Sequence, residues 1–364
     1  MRYLRTETEG PVFERMRARL AGIASHTGMA GVFKLKGADI YQVEQILALP
    51  GKVLAEPVPP KALAPAMRSA SARMAACADV ASLLETTLTA LAEDFGISHS
   101  MILLWDTAIQ KLITLASRGY DTSGVGSEIA LDEGVIGVAA AQRTPIRITH
   151  MTNEYSYGRT IRETALELGL EQQIGVEIPF PGLPQPGSQL AVPIVVTGRL
   201  LGVLHVESPD DNRFTYDHED VLVALATQLG LSMALLGQNA ETIEPELRPV
   251  RTPQVGSERL QVRHYAANDS IFLGDAYLIK GVAGAIFWRL LQEYQSSQRT
   301  DFCNRELRLD PSLRLPDIDD NLEARLILLA RRLTERSRTI AITKTGRGRF
   351  RLDVSCLLEL VEAG

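Results

Sequence analysis

Apolar positions recur at helical spacing from Ser69 to Phe95, where Leu83, Leu84, Leu88 and Leu91 fall on adjoining faces. Two strands are predicted next, His99 to Trp105 and Lys111 to Arg118, joined by a turn at Asp106-Thr107-Ala108-Ile109-Gln110. A third runs from Arg143 to Ile148. Leu190 to Val196 and Leu200 to Glu207 alternate as an antiparallel pair about Thr197-Gly198. Val221 to Leu236 is apolar apart from Thr227, Gln228 and Ser232 and reads as a helix packed on more than one side. It is shorter than the roughly 20 residues of a membrane-spanning helix, so a core or dimer-facing role is expected and a membrane is not.

Further along, Gln261 to Leu278 is strand-like, Gly281 to Gln295 is an amphipathic helix, and Phe302 to Leu309 is a short second helix. A third helix is predicted over Ile318 to Arg336, with Leu322, Leu326, Leu329 and Leu333 at i, i+4, i+7 and i+11, followed by a hairpin from Thr339 to Val354. Ahead of all these lies a small mixed segment, with helices near Phe13 to Ala24 and Ala38 to Leu49 and a strand at Gly31 to Leu35. Proline breaks the pattern in two places. Glu56-Pro57-Val58-Pro59-Pro60-Lys61 is the first, and Pro245, Pro249 and Pro253 interrupt the second. The expected division is therefore an N-terminal segment and linker over 1–66, a first domain over 67–238, a linker over 239–256 and a second domain over 257–364.

Charge sharpens that division. The chain of 364 residues carries a formal net charge of −6. It is +3 over 1–66, −11 over 67–255 and +2 over 256–364, and 318–352 holds nine basic residues against four acidic. Cys77, Cys303 and Cys356 form no CxxC pair, which argues against a disulfide framework and a cysteine-rich zinc site. A start without an apolar leader fits a cytoplasmic protein.

Gly198 to Ser208, then Asn212-Arg213-Phe214-Thr215-Tyr216-Asp217-His218-Glu219-Asp220 and the apolar run to Leu236, resemble the closing half of a GAF domain. The likeness extends back through Ser188 to Ile194, Asp132 to Gly137 and Met101 to Asp106, about residues 68 to 238. It implies an antiparallel sheet flanked by helices in an α+β fold, used to sense a small ligand, often in a homodimer. The ligand pocket of such domains lies beside the variable segment, here about 150–187. That places His150, Tyr155, Tyr157, Arg159 and Arg162 as expected ligand contacts, aromatic and cationic groups suited to a compact ligand of unknown identity.

Strands, three helices and a hairpin in this order resemble an OmpR-type winged helix-turn-helix, with Ile342 to Leu352 as its glycine-turned wing. The resemblance implies double-stranded DNA as partner, read by Asn321, Arg325, Arg332 and Arg336 on one face of the third helix and by Lys344, Arg347 and Arg349 in the wing. Ile327 and Leu328 depart from it, since the family often places polar readers there. Either they meet thymine methyls or another part of the protein covers them.

Catalysis has no support in the chain. No Ser-His-Asp order, Walker loop or HExxH helix occurs, and His99, His150, His205 and His218 lack metal-ligand spacing. Asn212-Arg213 abutting Phe214 matches the cyclic-nucleotide signature of GAF domains imperfectly. Covalent bilin attachment and thiol-based reduction both need cysteines that 78–302 does not contain. The expected function is a cytoplasmic transcriptional regulator coupling a small molecule or redox state to DNA affinity. The alternative is a sensor adaptor whose winged helix binds protein.

Overall fold

The computed structural model describes residues 60–150, 178–239, 259–313 and 322–363. All belong to one compact unit, Val58–Gly364. The elements expected before residue 50 and most of the second linker lie outside the described residues.

The predicted helix over 69–95 is two helices, α1 (Pro60–Ala75) and α2 (Val80–Glu93). Pro60 opens α1, where its missing N–H costs nothing. The break between them comes from Asp79, whose carboxylate accepts a hydrogen bond from the Ser82 amide at 2.8 Å and caps a new helix. Helical periodicity alone does not reveal such an interruption, because both pieces bury apolar residues in the same core.

That sheet has six strands: β1 (His99–Asp106), β2 (Lys111–Arg118), β3 (Glu128–Ala130), β4 (Ile146–Ile148), β5 (Ser188–Val196) and β6 (Arg199–Ser208). Their order is β3-β2-β1-β6-β5-β4, antiparallel throughout. The β5–β6 turn has Thr197 at φ 48° and Gly198 at φ 77°. Two successive positive φ values twist in the sense a tight hairpin needs.

Alternation gives the sheet two apolar faces. Ile102, Leu104, Leu190, Val192, Leu204 and Val206 meet α2 and α4 (Tyr216–Asn239), on which α1 packs in turn. Met101, Leu103, Leu112, Ala191 and Val203 meet Val135, Ile136, Ala139 and Ala140 of α3 (Gly134–Gln142). The residues of α3 carry no amphipathic period because alanine and glycine dominate them, so the helix was not expected. Among the described residues α4 alone is long and apolar enough to cross a membrane. It lies instead along β5, with Leu222, Leu225, Ala226 and Leu229 buried.

The C-terminal segment begins with β7 (Arg259–Tyr265), β8 (Ser270–Leu273) and β9 (Ala276–Ile279), then α5 (Gly281–Ser297). A short strand β10 (Asp301–Cys303), α6 (Asn304–Leu309) and α7 (Leu322–Arg336) follow, before the hairpin β11 (Ile340–Gly346) and β12 (Arg349–Val354). A last strand, β13 (Leu357–Ala363), returns to lie parallel to β7. This gives two sheets, β13-β7-β8-β9 and β10-β12-β11. The order of strands, three helices and hairpin is the expected one; β10 and β13 were not foreseen.

Candidate functional site

On the α3 side of the first sheet, the apolar pattern gives way to a polar patch. Glu207 pairs across the strands with Gln189 and with His99, and His205 pairs with Ala191 and Met101. Residues 205 and 207 share a face of β6 by the period of two, so three neighbouring strands bring these groups into two adjacent rows. His205 is 1% exposed, Gln189 3% and Glu207 3%. Polar side chains at this depth carry a desolvation cost that must be offset by partners.

Glu207 has them. Its carboxylate accepts hydrogen bonds from Gln189 Nε2 at 2.5 Å and from the Leu183 amide at 3.0 Å, and His205 Nε2 stands 3.6 Å away. Burial pushes its pKa up, yet His205, the Leu183 amide and Tyr120 outweigh that and hold it below the usual carboxylate range. Its neighbours are not satisfied. His205 Nδ1 and Gln189 Oε1 are buried without a hydrogen-bond partner, whereas the buried Tyr120 hydroxyl is directed at Glu207 without closing a well-formed hydrogen bond to it. Tyr120 sits edge-on to His99, with ring centroids 5.5 Å apart. Burial, and then the charge of Glu207, raise its pKa well above that of a free phenol, so it stays protonated as a donor.

Native interiors leave few such atoms unpaired, and one orphan carries a cost of about 1–3 kcal/mol. Two orphans and a poorly bonded phenol around one carboxylate, on the face covered by α3 and Phe180, leave a cluster of buried polar groups whose hydrogen-bonding capacity is not fully met. The GAF resemblance makes His205 a satisfied or exposed strand histidine, since that strand position is often polar in such domains. The missed signal was the pair His205 and Glu207 at positions where β6 otherwise presents Val203 to the α3 side.

Of the expected ligand residues, His150 alone falls within the described residues. His150 follows β4 and is half-buried, with Nδ1 3.6 Å from Asp211. Tyr155, Tyr157, Arg159 and Arg162 lie outside the described residues. His218 is spoken for. Arg213, which can only donate, lies 2.9 Å from His218 Nε2, leaving Nδ1–H to donate to Thr215 Oγ1 at 2.9 Å. Burial and then the Arg213 charge lower its pKa to about 4.

The basic residues expected on α7 and the hairpin separate into two groups. Arg325 is 5% exposed and clamps Asp106 at the end of β1, with Nε and Nη2 donating at 3.1–3.2 Å. Arg332 is 2% exposed and donates to the Leu278 carbonyl at 2.9 Å and to Glu335 at 3.1 Å. Both therefore point into protein. Ile327 and Leu328 are likewise buried, at 8% and 5% exposure. Ala324 and Leu328 line a narrow cleft with Leu104, Ile113 and Leu115 of the first sheet. Of the two explanations for these apolar positions, coverage by another part of the chain is the one realised in this arrangement. Arg336 and Arg347 are exposed, Arg349 is half-buried, and Lys344 is exposed but pairs with Glu323 at 3.1 Å. Asn321 lies outside the described residues.

Residues 77–234 match the family model of the GAF domain, and this part of the chain is a GAF domain. No curated protein matches the chain. Among solved structures, it is similar to the GAF domain of an Acinetobacter phosphoenolpyruvate-protein phosphotransferase, at 20% identity over 50% of this chain and 97% of that one, TM-score 0.38. The corresponding domain from Coxiella burnetii is 17% identical over 50% and 98%, TM-score 0.40. A free methionine-R-sulfoxide reductase from Neisseria meningitidis, solved in complex with its substrate, is 18% identical over 52% and 99%, TM-score 0.39.

Proposed function

We propose that this GAF-domain protein is a cytoplasmic, non-catalytic regulator. It binds a small molecule at the Tyr120, Gln189, His205 and Glu207 patch and adjusts the affinity of its C-terminal segment for double-stranded DNA. The observation that carries the sensing half is the group of buried polar atoms around Glu207, of which His205 Nδ1 and Gln189 Oε1 have no partner. An ionised Glu207 opposes an anion and favours a compact ligand presenting N–H or ammonium donors, with Gln189 Oε1 accepting beside it and Tyr120 donating.

The DNA half rests on the element order of a winged helix and on a glycine-turned hairpin that keeps Arg347 exposed. A homodimer fits the apolar stripe of α4, where Leu231 is 55% and Leu235 60% exposed, next to the exposed alanines of α1. The alternative, an adaptor whose α7 binds protein rather than DNA, is favoured by one specific observation: α7 already holds a protein surface through Arg325 and Leu328.

Two measurements test these readings. Mass spectrometry of small molecules released from the purified chain should find one whose binding is lost in Glu207→Gln. Duplex DNA binding should weaken as salt rises, with a shallower slope in Arg347→Ala. A chain that binds no duplex at any ionic strength leaves the adaptor reading in place.

A further inference from the structure

We infer that the GAF domain masks α7 in the state described here, and that the loop from Gly119 to Ser127 is the physical link between the ligand patch and that mask. The inference rests on the ligand-site reading above and names how that site would be regulated.

The mask is built from several independent contacts on one side of α7. Besides the Arg325–Asp106 clamp and the Leu328 packing, Arg331 donates to the Leu115 carbonyl of β2 and to Glu85 of α2. Lys280, which precedes α5, pairs with Glu128 of β3 at 3.0 Å, and that carboxylate also holds Lys111. Lys344 of the hairpin approaches Asp79 at 3.8 Å as well as Glu323. Towards its C-terminal end α7 leaves Thr334, Glu335 and Arg336 exposed, with one acidic and one basic group among them. With Arg325, Arg331 and Arg332 consumed internally, α7 cannot present these three to a phosphate backbone. For α7 to enter a groove, the C-terminal segment must leave the GAF domain.

The loop joins this mask to the patch. At one end Tyr120 packs edge-on against His99, the cross-strand neighbour of Glu207; three residues on, Ser123 Oγ donates to Glu335 of α7. Gly126 has φ 91°, and a Cβ there would sit 3.5 Å from Arg332 Cδ and 3.7 Å from Leu328 Cδ1. The loop is braced between these ends. Ser117 Oγ donates to the Ser123 carbonyl, the Gly126 amide donates to the Thr114 carbonyl at 2.8 Å, and Val125 is 3% exposed. A braced segment of this kind transmits a displacement of Tyr120 rather than absorbing it. A ligand that draws Tyr120 toward itself would therefore weaken the Ser123 contact with α7. Ligand binding and α7 release are then coupled equilibria, each altering the other by the same factor.

Amide hydrogen exchange over residues 322–336 of the full chain tests this without ligand or DNA. Asp106→Asn removes the charge that holds Arg325 while keeping a side-chain acceptor for the turn at Ala108. It should speed exchange in α7 at least about tenfold while β5 and β6 stay protected. The double variant Glu85→Gln with Ser123→Ala, at sites less buried than Asp106, should do the same to a smaller degree. If Asp106→Asn loosens the whole chain, the double variant decides on the same terms. Unchanged α7 exchange in the double variant and in any folded Asp106→Asn overturns the mask.

Tyr120→Ala touches no atom of α7, yet it should also raise α7 exchange by removing the loop's anchor. If Asp106→Asn opens α7 and Tyr120→Ala does not, the loop is not the link. Binding of a random-sequence duplex pool separates this inference from the function proposed above. The opened variants should bind at least about tenfold more tightly, whereas an exposed α7 with no gain leaves the mask standing and defeats the DNA reading.

Discussion

Helices α4 and α7 present the same problem in sequence, each being apolar around more of its circumference than one core requires, and the fold resolves the two differently. In α4 the surplus face stays outside: Leu231 and Leu235 are more than half exposed, while Leu225 and Leu229 on the other side have no exposure at all. In α7 the surplus face is used within the chain. Leu322, Leu326, Leu329 and Leu333 face the C-terminal core, and Ala324, Arg325, Leu328 and Arg332 are buried by the GAF domain and β9. Surplus apolar surface is thus a request for a partner, and the sequence does not say whether that partner is the same chain or another one.

The sharpest break in this comparison is a charge placed on either side of α4. Leu225 and Leu229 were natural probes of a dimer interface from sequence, but they are core residues. Leu229→Arg should unfold the domain, at a cost of about 4 kcal/mol or more, read by chemical denaturation. Leu235→Arg should leave the melting curve within about 0.5 kcal/mol per chain and abolish the dimer seen by native mass spectrometry. A chain that is monomeric before mutation removes the dimer from the proposal.

For α7 the corresponding break is Arg325→Ala, which strands the buried Asp106 carboxylate. A loss of about 3 kcal/mol is expected, against about 0.5 kcal/mol or less for the exposed Arg347→Ala. Comparable losses in the two variants would mean that Arg325 is solvated and the clamp is not formed in solution.

Acid offers a third, intermediate effect within the GAF domain. His218 is neutral in the fold with a pKa near 4, while the unfolded chain protonates it near 6.5. Its folded pKa is depressed, so the unfolded state binds the extra proton between these values. Stability should fall as pH drops from about 6.5 to about 4, by up to about 3 kcal/mol from this residue. His218→Gln should lower stability at neutral pH but flatten that slope in urea titrations; an unchanged slope would assign the acid sensitivity to other groups.

The smallest expected effect is the most informative about the ligand patch. Tyr120→Phe deletes a buried hydroxyl that is aimed at Glu207 but closes no well-formed hydrogen bond, so stability should stay within about 1 kcal/mol of the parent in thermal denaturation. A clear loss would show that the hydroxyl is satisfied in the ligand-free protein.

Much of the GAF sheet was legible from the chain. β2 has the predicted bounds, β1, β5 and β6 lie within two residues of theirs, and the turn at Thr197-Gly198 was marked by its glycine. The leucine stripe of α7 was equally plain, because a 3.6-residue period over four turns has few other meanings. The α3 helix was not, since a run of glycine and alanine carries no period. Nor was the ligand patch, because Gln189, His205 and Glu207 are unremarkable one at a time.

The sequence by itself determined the elements, their antiparallel pairing through short turns, and the presence of more apolar helical surface than two separate cores can cover. Those are local properties, fixed by period, turn chemistry and proline. Only the tertiary structure decided which polar groups would be buried together and which face of each helix would find a partner. A residue's burial and charge environment depend on strands and helices distant in sequence: Arg325 is 219 positions from the Asp106 that neutralises it. Neither residue alone says that it will become half of a buried pair rather than a contact for DNA.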